Sequence, residues 1–232
     1  TCALPILRVS DVDPETLRPV PGTERRVDCD TLLLSVGLLP ENELAKTAGV
    51  MLDPVTGGAV VDESLQTSEP GVFACGNALH IHDLADYASE EGEIAGASAA
   101  RFALAMREGD GEEVAREIAF TRAREDCGAA ERDFAPVVTG EGVRYVVPQR
   151  ISMRGMGCGD ARAEDSVTLS FRPSRAVKGP KGIVEAILRD GTTRAVASKK
   201  LMVAVPAEMV RMQVPAGDLR DAAEVRVRLE ER

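Results

Sequence analysis

The hydrophobic period changes along this chain, and that change sets what it can fold into. From about residue 138 to 232, apolar side chains recur at every second position. "VTLSF" (167–171) puts Val167, Leu169 and Phe171 on one face. "VRMQV" (210–214) does the same with Val210, Met212 and Val214, and "VRVRL" (225–229) alternates cleanly. A period of two marks half-buried strands. "GIVEAILRDGTTRAVASKKL" adds two strands around Asp190-Gly191, a hairpin turn pair.

Short alternating strands between turn residues predict an antiparallel sandwich over 138–232. An immunoglobulin-like type is expected, without that type's usual core Trp and paired Cys. The first half reads differently. The run Thr31 to Val36 is apolar apart from Ser35 and ends on Gly37, which predicts a buried strand of a largely parallel sheet. "LLPENELAKTAGV" reads as a loop and short helix with Gly49 as its C-cap. Residues 53–77 read as turn, strand, turn, strand.

"DLADYASEEGEIAGASAARFALAM" reads as one long helix. Asp86, Glu90, Glu91 and Glu93 favour its N-terminal half, as the macrodipole prefers. Gly92 and Gly96 are poor helix formers, so close packing against a sheet is the expected reason for them. Residues 108–137 are charged and mixed, with a short helix expected over 112–124 before a linker. The expected divisions are 1–36, which ends in the apolar run; 37–110, an α/β segment; 111–137, a helical linker; and 138–232, the sandwich.

Composition excludes some functions. The 232 residues carry 38 Asp and Glu against 28 Lys and Arg, a formal net charge of −10. Phosphate-backbone binding needs a concentrated basic surface, so a nucleic-acid partner is excluded and an anionic membrane surface disfavoured. Aromatic residues make up 3% and Trp is absent, so the core must be aliphatic. Five cysteines, at positions 2, 29, 75, 127 and 158, include no C-x-x-C pair. That fits neither a disulfide framework nor a zinc site, and points to a reducing, cytoplasmic compartment. No apolar run is long enough to span a bilayer. The opening "TCALPILRV" lacks Met and is already strand-like, so a fragment or processed piece is expected.

"GVFACGN" (71–77) places a short strand before Gly76 and Asn77. A strand end at the carboxyl edge of an α/β sheet is the usual ligand crevice. Gly76 lets a ligand approach its backbone, and Asn77 both donates and accepts, which suits sugar or ribityl hydroxyls. The following helix aims its free N–H groups beyond the strand end. His80 and His82, the chain's two histidines, alternate on one face. With Asp83 they form an incomplete metal set, so no metal is expected and a hydrogen bond that tunes a nearby cofactor is the preferred role. The aspartates are expected to cap the helix. Cys75 is expected as a small buried hydrophobe, Cys158 as an exposed thiol, Tyr87 as packing, and "SKK" (198–200) as a solvated strand end.

"TSEPGVFACGN" (67–77) resembles the second flavin-binding motif of the pyridine-nucleotide-dependent flavoprotein oxidoreductases. "DTLLLSVGLLPEN" (30–42) resembles that family's strand returning to the FAD domain. Together with "GGAVVDESLQTSEPGVFACGNALHIHDLADYASEEGEIAG" and "RYVVPQRI", they are similar to a bacterial subfamily that accompanies glycerol-3-phosphate dehydrogenase-like flavoproteins. The resemblance covers about residues 1–107. It implies the second half of a two-dinucleotide-domain α/β flavoprotein, with FAD and NAD(P)H as cofactors: 1–36 would be the end of the NAD(P)-binding domain and its return strand, and 37–110 the C-terminal half of the FAD-binding domain. Gly37, Gly76, Asn77, Ala78, Leu84, Ala85 and Asp86 would contact FAD, and His80 and His82 would tune it.

The chain departs from that pattern. Asn77 replaces the usual Asp, C-x-x-C is missing, and so is G-x-G-x-x-G; "RGMGCGD" (154–160) does not lie between a strand and a helix. The resemblance therefore implies half of an FAD site, completed by an N-terminal half in the same or another chain. The uncovered sheet edge would favour a homodimer. The alternative is a non-enzymatic interaction module whose sandwich docks a partner subunit.

Overall fold

The computed structural model describes residues 6–14, 16, 18–33, 37–107, 134–152 and 166–231. The chain divides into two compact units, Thr1–Gly37 and Leu38–Arg232.

In the first unit, β1 (Ile6–Val9) pairs antiparallel with β2 (Arg25–Asp28), Ile6 opposite Asp28 and Val9 opposite Arg25. Every residue of β2 is exposed. The buried strand expected over 31–36 does not form across 31–33, where Leu32 and Leu33 are 51% and 89% exposed; residues 34–36 lie outside the described residues. An apolar run becomes a buried strand only when both faces are covered, and the unit's described sheet has two strands, neither beside this run.

The second unit opens with α1 (Glu43–Thr47). It ends in a Schellman motif, with Gly49 N–H on the Lys46 carbonyl and Val50 N–H on that of Ala45. Gly49 is thus one residue past the Ala48 cap. The two strands expected over 53–77 are single bridges instead, Leu52 with Ala59 and Gln66 with Phe73. Side chains take the backbone there into turns: Asp53 Oδ1 accepts from Val55 and Thr56, and Asp62 Oδ1 from Ser64 and Gln66.

The long helix forms as expected, as α2 (Ala85–Arg107). Among its described side chains the buried ones are Glu91, Ala95 and Ser98, a stripe at i, i+4, i+7. Gly92 and Gly96 are exposed, and a Cβ on either would meet nothing within 4 Å. The expected sheet against that face is absent among the described residues. None of the described helices is long and apolar enough to cross a membrane. The helix expected at 112–124, and Cys158, lie outside the described residues.

The remaining strands are β3 (Phe134–Thr139), β4 (Val143–Val147), β5 (Arg150–Ser152), β6 (Ser166–Pro173), β7 (Val177–Lys178), β8 (Lys181–Leu188), β9 (Thr193–Lys200), β10 (Val203–Ala204), β11 (Val210–Pro215) and β12 (Ala222–Glu230). They form a five-stranded sheet, β5-β3-β12-β8-β9, and a three-stranded one, β11-β6-β4, with a small β10-β7 pair. Both larger sheets feed one aliphatic core that includes Val137, Leu169, Phe171, Val184, Met212, Val214, Val225 and Val227. The alternating segments thus fold as their period predicts. One pair departs from the antiparallel expectation: β3 and β12 run parallel. They are the first and last strands of the sandwich, so no tight turn constrains their direction.

A second, smaller core holds Val50, Ala59, Val61, Leu65, Leu79 and Ala95. It is closed by Tyr145 and Val147 from β4. Gln149 bridges the junction, its N–H on the Val61 carbonyl and its Oε1 accepting from Val61 N–H.

Candidate functional site

The site gathers where the turn at residues 76–78 meets α2. Buried Asn42 ties this turn down, its Nδ2 donating to the carbonyls of Gly57 and Ala78 at 2.9 and 2.7 Å. Gly76 has φ +65°, a left-handed value that favours glycine. A Cβ there would meet Ala88 Cβ at 3.8 Å, ordinary contact. The Gly76 conformation alone gives a reason for glycine here. Both backbone groups of Gly76 are used internally: its N–H donates to Glu91 Oε2 at 2.9 Å, and its carbonyl accepts from Leu79 and His80.

Asn77, Ala78, Leu84, Ala85 and Asp86 are all exposed, and Ala85 and Asp86 open α2; these five residues are termed the shelf. Asn77 Oδ1 accepts from His82 N–H at 3.0 Å, and among the described residues nothing engages its Nδ2. Gly37 lies in the first unit, with φ +100° and open space around it.

His80 and His82 converge as their alternation predicts, and on a residue that sequence reasoning assigned only to the macrodipole. His80 Nε2 lies 2.7 Å from Glu91 Oε1, and His82 Nε2 lies 2.9 Å from Glu91 Oε2. The two rings meet edge-on with centroids 4.5 Å apart, and Tyr145 approaches His80 at 6.1 Å. The side chains of His80, His82 and Glu91 are 0%, 3% and 11% exposed. Burial pushes the Glu91 carboxyl up, but hydrogen bonds with His80 and His82 override this and hold it at about 2. The signal in the sequence was the spacing of Glu91 from Ala95 and Ser98, which puts a carboxylate on the helix's inward stripe. Burial raises the Cys75 thiol and the Glu91 charge raises it further. Cys75 thus remains a thiol, in keeping with the expected hydrophobe role, though it is only half-buried.

Asp83 does not cap the helix. Its Oδ1 accepts from Arg172 Nη2 at 2.5 Å and its Oδ2 from Met209 N–H at 2.7 Å. Arg172 also donates to Tyr145 Oη at 3.0 Å and to the carbonyls of Ile81 and Ala207 at 2.9 and 2.6 Å. Burial works against its charge, and Asp83 and Tyr145 more than compensate. The histidine loop is therefore fastened to the sandwich. Tyr87 packs under the Arg211 guanidinium at 4.5 Å, and Arg211 pairs with Glu90 at 2.6 Å.

Residues 7–92 match the model of the pyridine nucleotide-disulphide oxidoreductase family. The chain is 35% identical over 66 residues to a nitric oxide reductase FlRd-NAD(+) reductase of Salmonella arizonae, covering 28% of this chain and 17% of that protein. It is 39% identical over 72 residues to a mitochondrial dihydrolipoyl dehydrogenase of Caenorhabditis elegans, covering 31% and 14%. It is 37% identical over 57 residues to putidaredoxin reductase CamA of Pseudomonas putida, covering 25% and 13%. The chain thus spans 13–17% of the length of these curated relatives. No solved structure matches. Residues 7–92 therefore carry the sequence pattern of the pyridine nucleotide-disulphide oxidoreductases, and the β-sandwich lies outside the matched segment.

Proposed function

We propose that this chain supplies one half of the flavin site of an FAD-dependent NAD(P)H oxidoreductase. The match of residues 7–92 to the pyridine nucleotide-disulphide oxidoreductases carries the reading. Exposed Asn77, Ala78, Leu84, Ala85 and Asp86 fit it, the last two opening a helix whose first amides have no partner within the helix. When bound, FAD supplies hydride acceptance from NAD(P)H and electron release to an acceptor.

The chain's own residues bind and position. Asn77 Nδ2 offers a donor to the cofactor's ribityl and pyrophosphate oxygens, and the backbone amides of Ala85 and Asp86 face the pyrimidine end of the flavin ring. Gly76, with both backbone groups already used, sets the turn that presents Asn77. His80 and His82 face Glu91, so they act on the shelf through the backbone, His82 N–H holding Asn77 Oδ1. Gly37 closes the return motif of the first unit. A second nucleotide-binding half, on the same or another chain, would cover the exposed Gly92 and Gly96 face of α2. The immunoglobulin-like assignment of the sandwich and a glycerol-3-phosphate dehydrogenase-like partner belong to the same proposal and rest on the sequence resemblance. The names of the nitric oxide reductase FlRd-NAD(+) reductase and putidaredoxin reductase support electron delivery to a carrier protein.

The test is the visible absorbance of the purified chain before and after mixing with excess FAD and re-purification. Retained flavin absorbance, reduced in Asn77→Ala, supports the reading for the chain itself. Absence of flavin both alone and with a co-expressed nucleotide-binding half would leave an interaction module as the better account.

A further inference from the structure

We infer that His80, His82 and Glu91 form a binding site for a divalent transition-metal cation of the zinc or iron(II) class. The three residues offer one donor atom each, all within 4.8 Å of one another. Two imidazoles and one carboxylate are a recurrent set for these ions, with further positions left to water. The inference is independent of the flavin proposal.

The second observation lies on the rings themselves. Each imidazole puts Nε2 against the Glu91 carboxylate, and each leaves Nδ1 buried without a hydrogen-bond partner. Both rings are at least nine-tenths buried. Nε2 is thus the nitrogen each ring turns to the carboxylate, and Nδ1, which keeps the ring proton when Nε2 coordinates, stays without a partner either way; the buried donor set and its spacing carry the inference.

The spacing suits a cation. Metal–nitrogen and metal–oxygen bonds of about 2.0–2.1 Å put neighbouring ligand atoms roughly 3 Å apart. The two nitrogen–oxygen distances are 2.7 and 2.9 Å, so coordination needs only small outward shifts. Glu91 supplies the negative charge, its carboxylate held from α2 while the histidines come from the preceding loop. Arg172 and Asn42 brace that loop and turn through backbone carbonyls, leaving the imidazoles free to coordinate. Coordination uses the lone pair of a neutral ring whose proton sits on its other nitrogen. Binding thus displaces water from the cation with no redox change, and a ring that carries a second proton gives it up to solvent.

The experiment uses the tag-free full chain, stripped with EDTA, with its cysteines blocked by N-ethylmaleimide so that thiols cannot bind metal. Zinc chloride is titrated at neutral pH by calorimetry, and the imidazole resonances are followed by NMR. The chain has two histidines, so the assignment is direct. The expected result is one zinc per chain, a Kd of about 1 μM or tighter, and shifts in both imidazoles. Glu91→Gln and His82→Asn, each checked for folding by circular dichroism, should weaken binding by about 100-fold. Absence of stoichiometric binding, or tight binding that leaves both imidazole signals unmoved, overturns the inference whatever the variants do. Undiminished affinity in both folded variants overturns it too, leaving a hydrogen-bonded triad.

Discussion

At Glu63 the fold works against ionisation. Burial and the adjacent Asp62 carboxylate push its carboxyl from 4.5 up to about 7, against the hydrogen bond its Oε2 accepts from Ser152 N–H at 2.8 Å. In the unfolded chain the group ionises near its ordinary value. Between about pH 4.5 and 7 the native state therefore holds the extra proton, and stability falls as pH rises through that window. Below it both states are protonated, and above it the loss is complete. The shift corresponds to at most about 3 kcal/mol. Glu63→Gln keeps an acceptor for Ser152 and removes the charge. Urea unfolding from pH 4 to 8 should show the variant about 1–3 kcal/mol more stable at neutral pH, with the acid-side advantage of the parent chain gone. Equal pH slopes for the two would refute the assignment. Gly58 is a second single-residue case, and its constraint is space. A Cβ there would lie 1.6 Å from the carbonyl oxygen of fully buried Leu79, which is backbone and cannot swing aside. Gly58→Ala should cost roughly 4 kcal/mol or more, read as a lowered urea midpoint; a loss under about 1 kcal/mol would mean that the two segments do not touch.

Among the elements, the loop before α2 and strand β6 are joined by Arg172 and Asp83, 89 residues apart in sequence. The ion pair is only 12% and 28% exposed and is tied to further backbone groups. Removing one partner leaves the other poorly solvated. A double-mutant cycle of Arg172→Ala and Asp83→Ala, read by urea unfolding, should give a coupling of about 1–3 kcal/mol; a value below about 0.3 kcal/mol would reduce it to an ordinary surface pair. No local pattern announces such a link, because Arg172 sits at a polar position of an alternating strand and Asp83 looks like a helix cap. What was legible was periodic. The period of two gave β6, β11 and β12 with their inward faces, and the helical pattern gave α2 almost to its ends. The runs at 31–33 and 53–77 misled because an apolar run states only that burial is wanted, while neighbouring strands decide whether a sheet forms. At the site, Gly76, Asn77 and the histidine pair stood out locally. Glu91 required knowing which stripe of the helix faces inward, and Tyr145 requires knowing which strand packs there.

At the scale of the whole 38–232 unit, the question is whether the small core and the sandwich unfold together. Strand β4 belongs to both. Val143 and Val146 lie in the sandwich core, while Tyr145 and Val147 close the small one. A register shift between Val143 and Tyr145 resets the alternation so that one edge strand serves two faces. Four further links cross the same junction: Gln149 to Val61 twice, Arg150 to the Thr67 carbonyl at 2.7 Å, and Ser152 to Glu63 at 2.8 Å. The small core on its own contains six buried aliphatic residues and single β-bridges. That is too little apolar area to offset the ordering of its chain. Its stability must be borrowed from β4. Native-state hydrogen exchange under increasing urea should therefore show the amides of 59–67 opening with the same free energy as those of 167–171 and 225–229. Val147→Ala, which hollows the small core only, should lower all three by about the same amount, on the order of 2 kcal/mol. If 59–67 opened earlier and the substitution moved it alone, the sandwich would be a separately stable platform. The histidine loop would then be held by the Arg172 contacts rather than by a shared core.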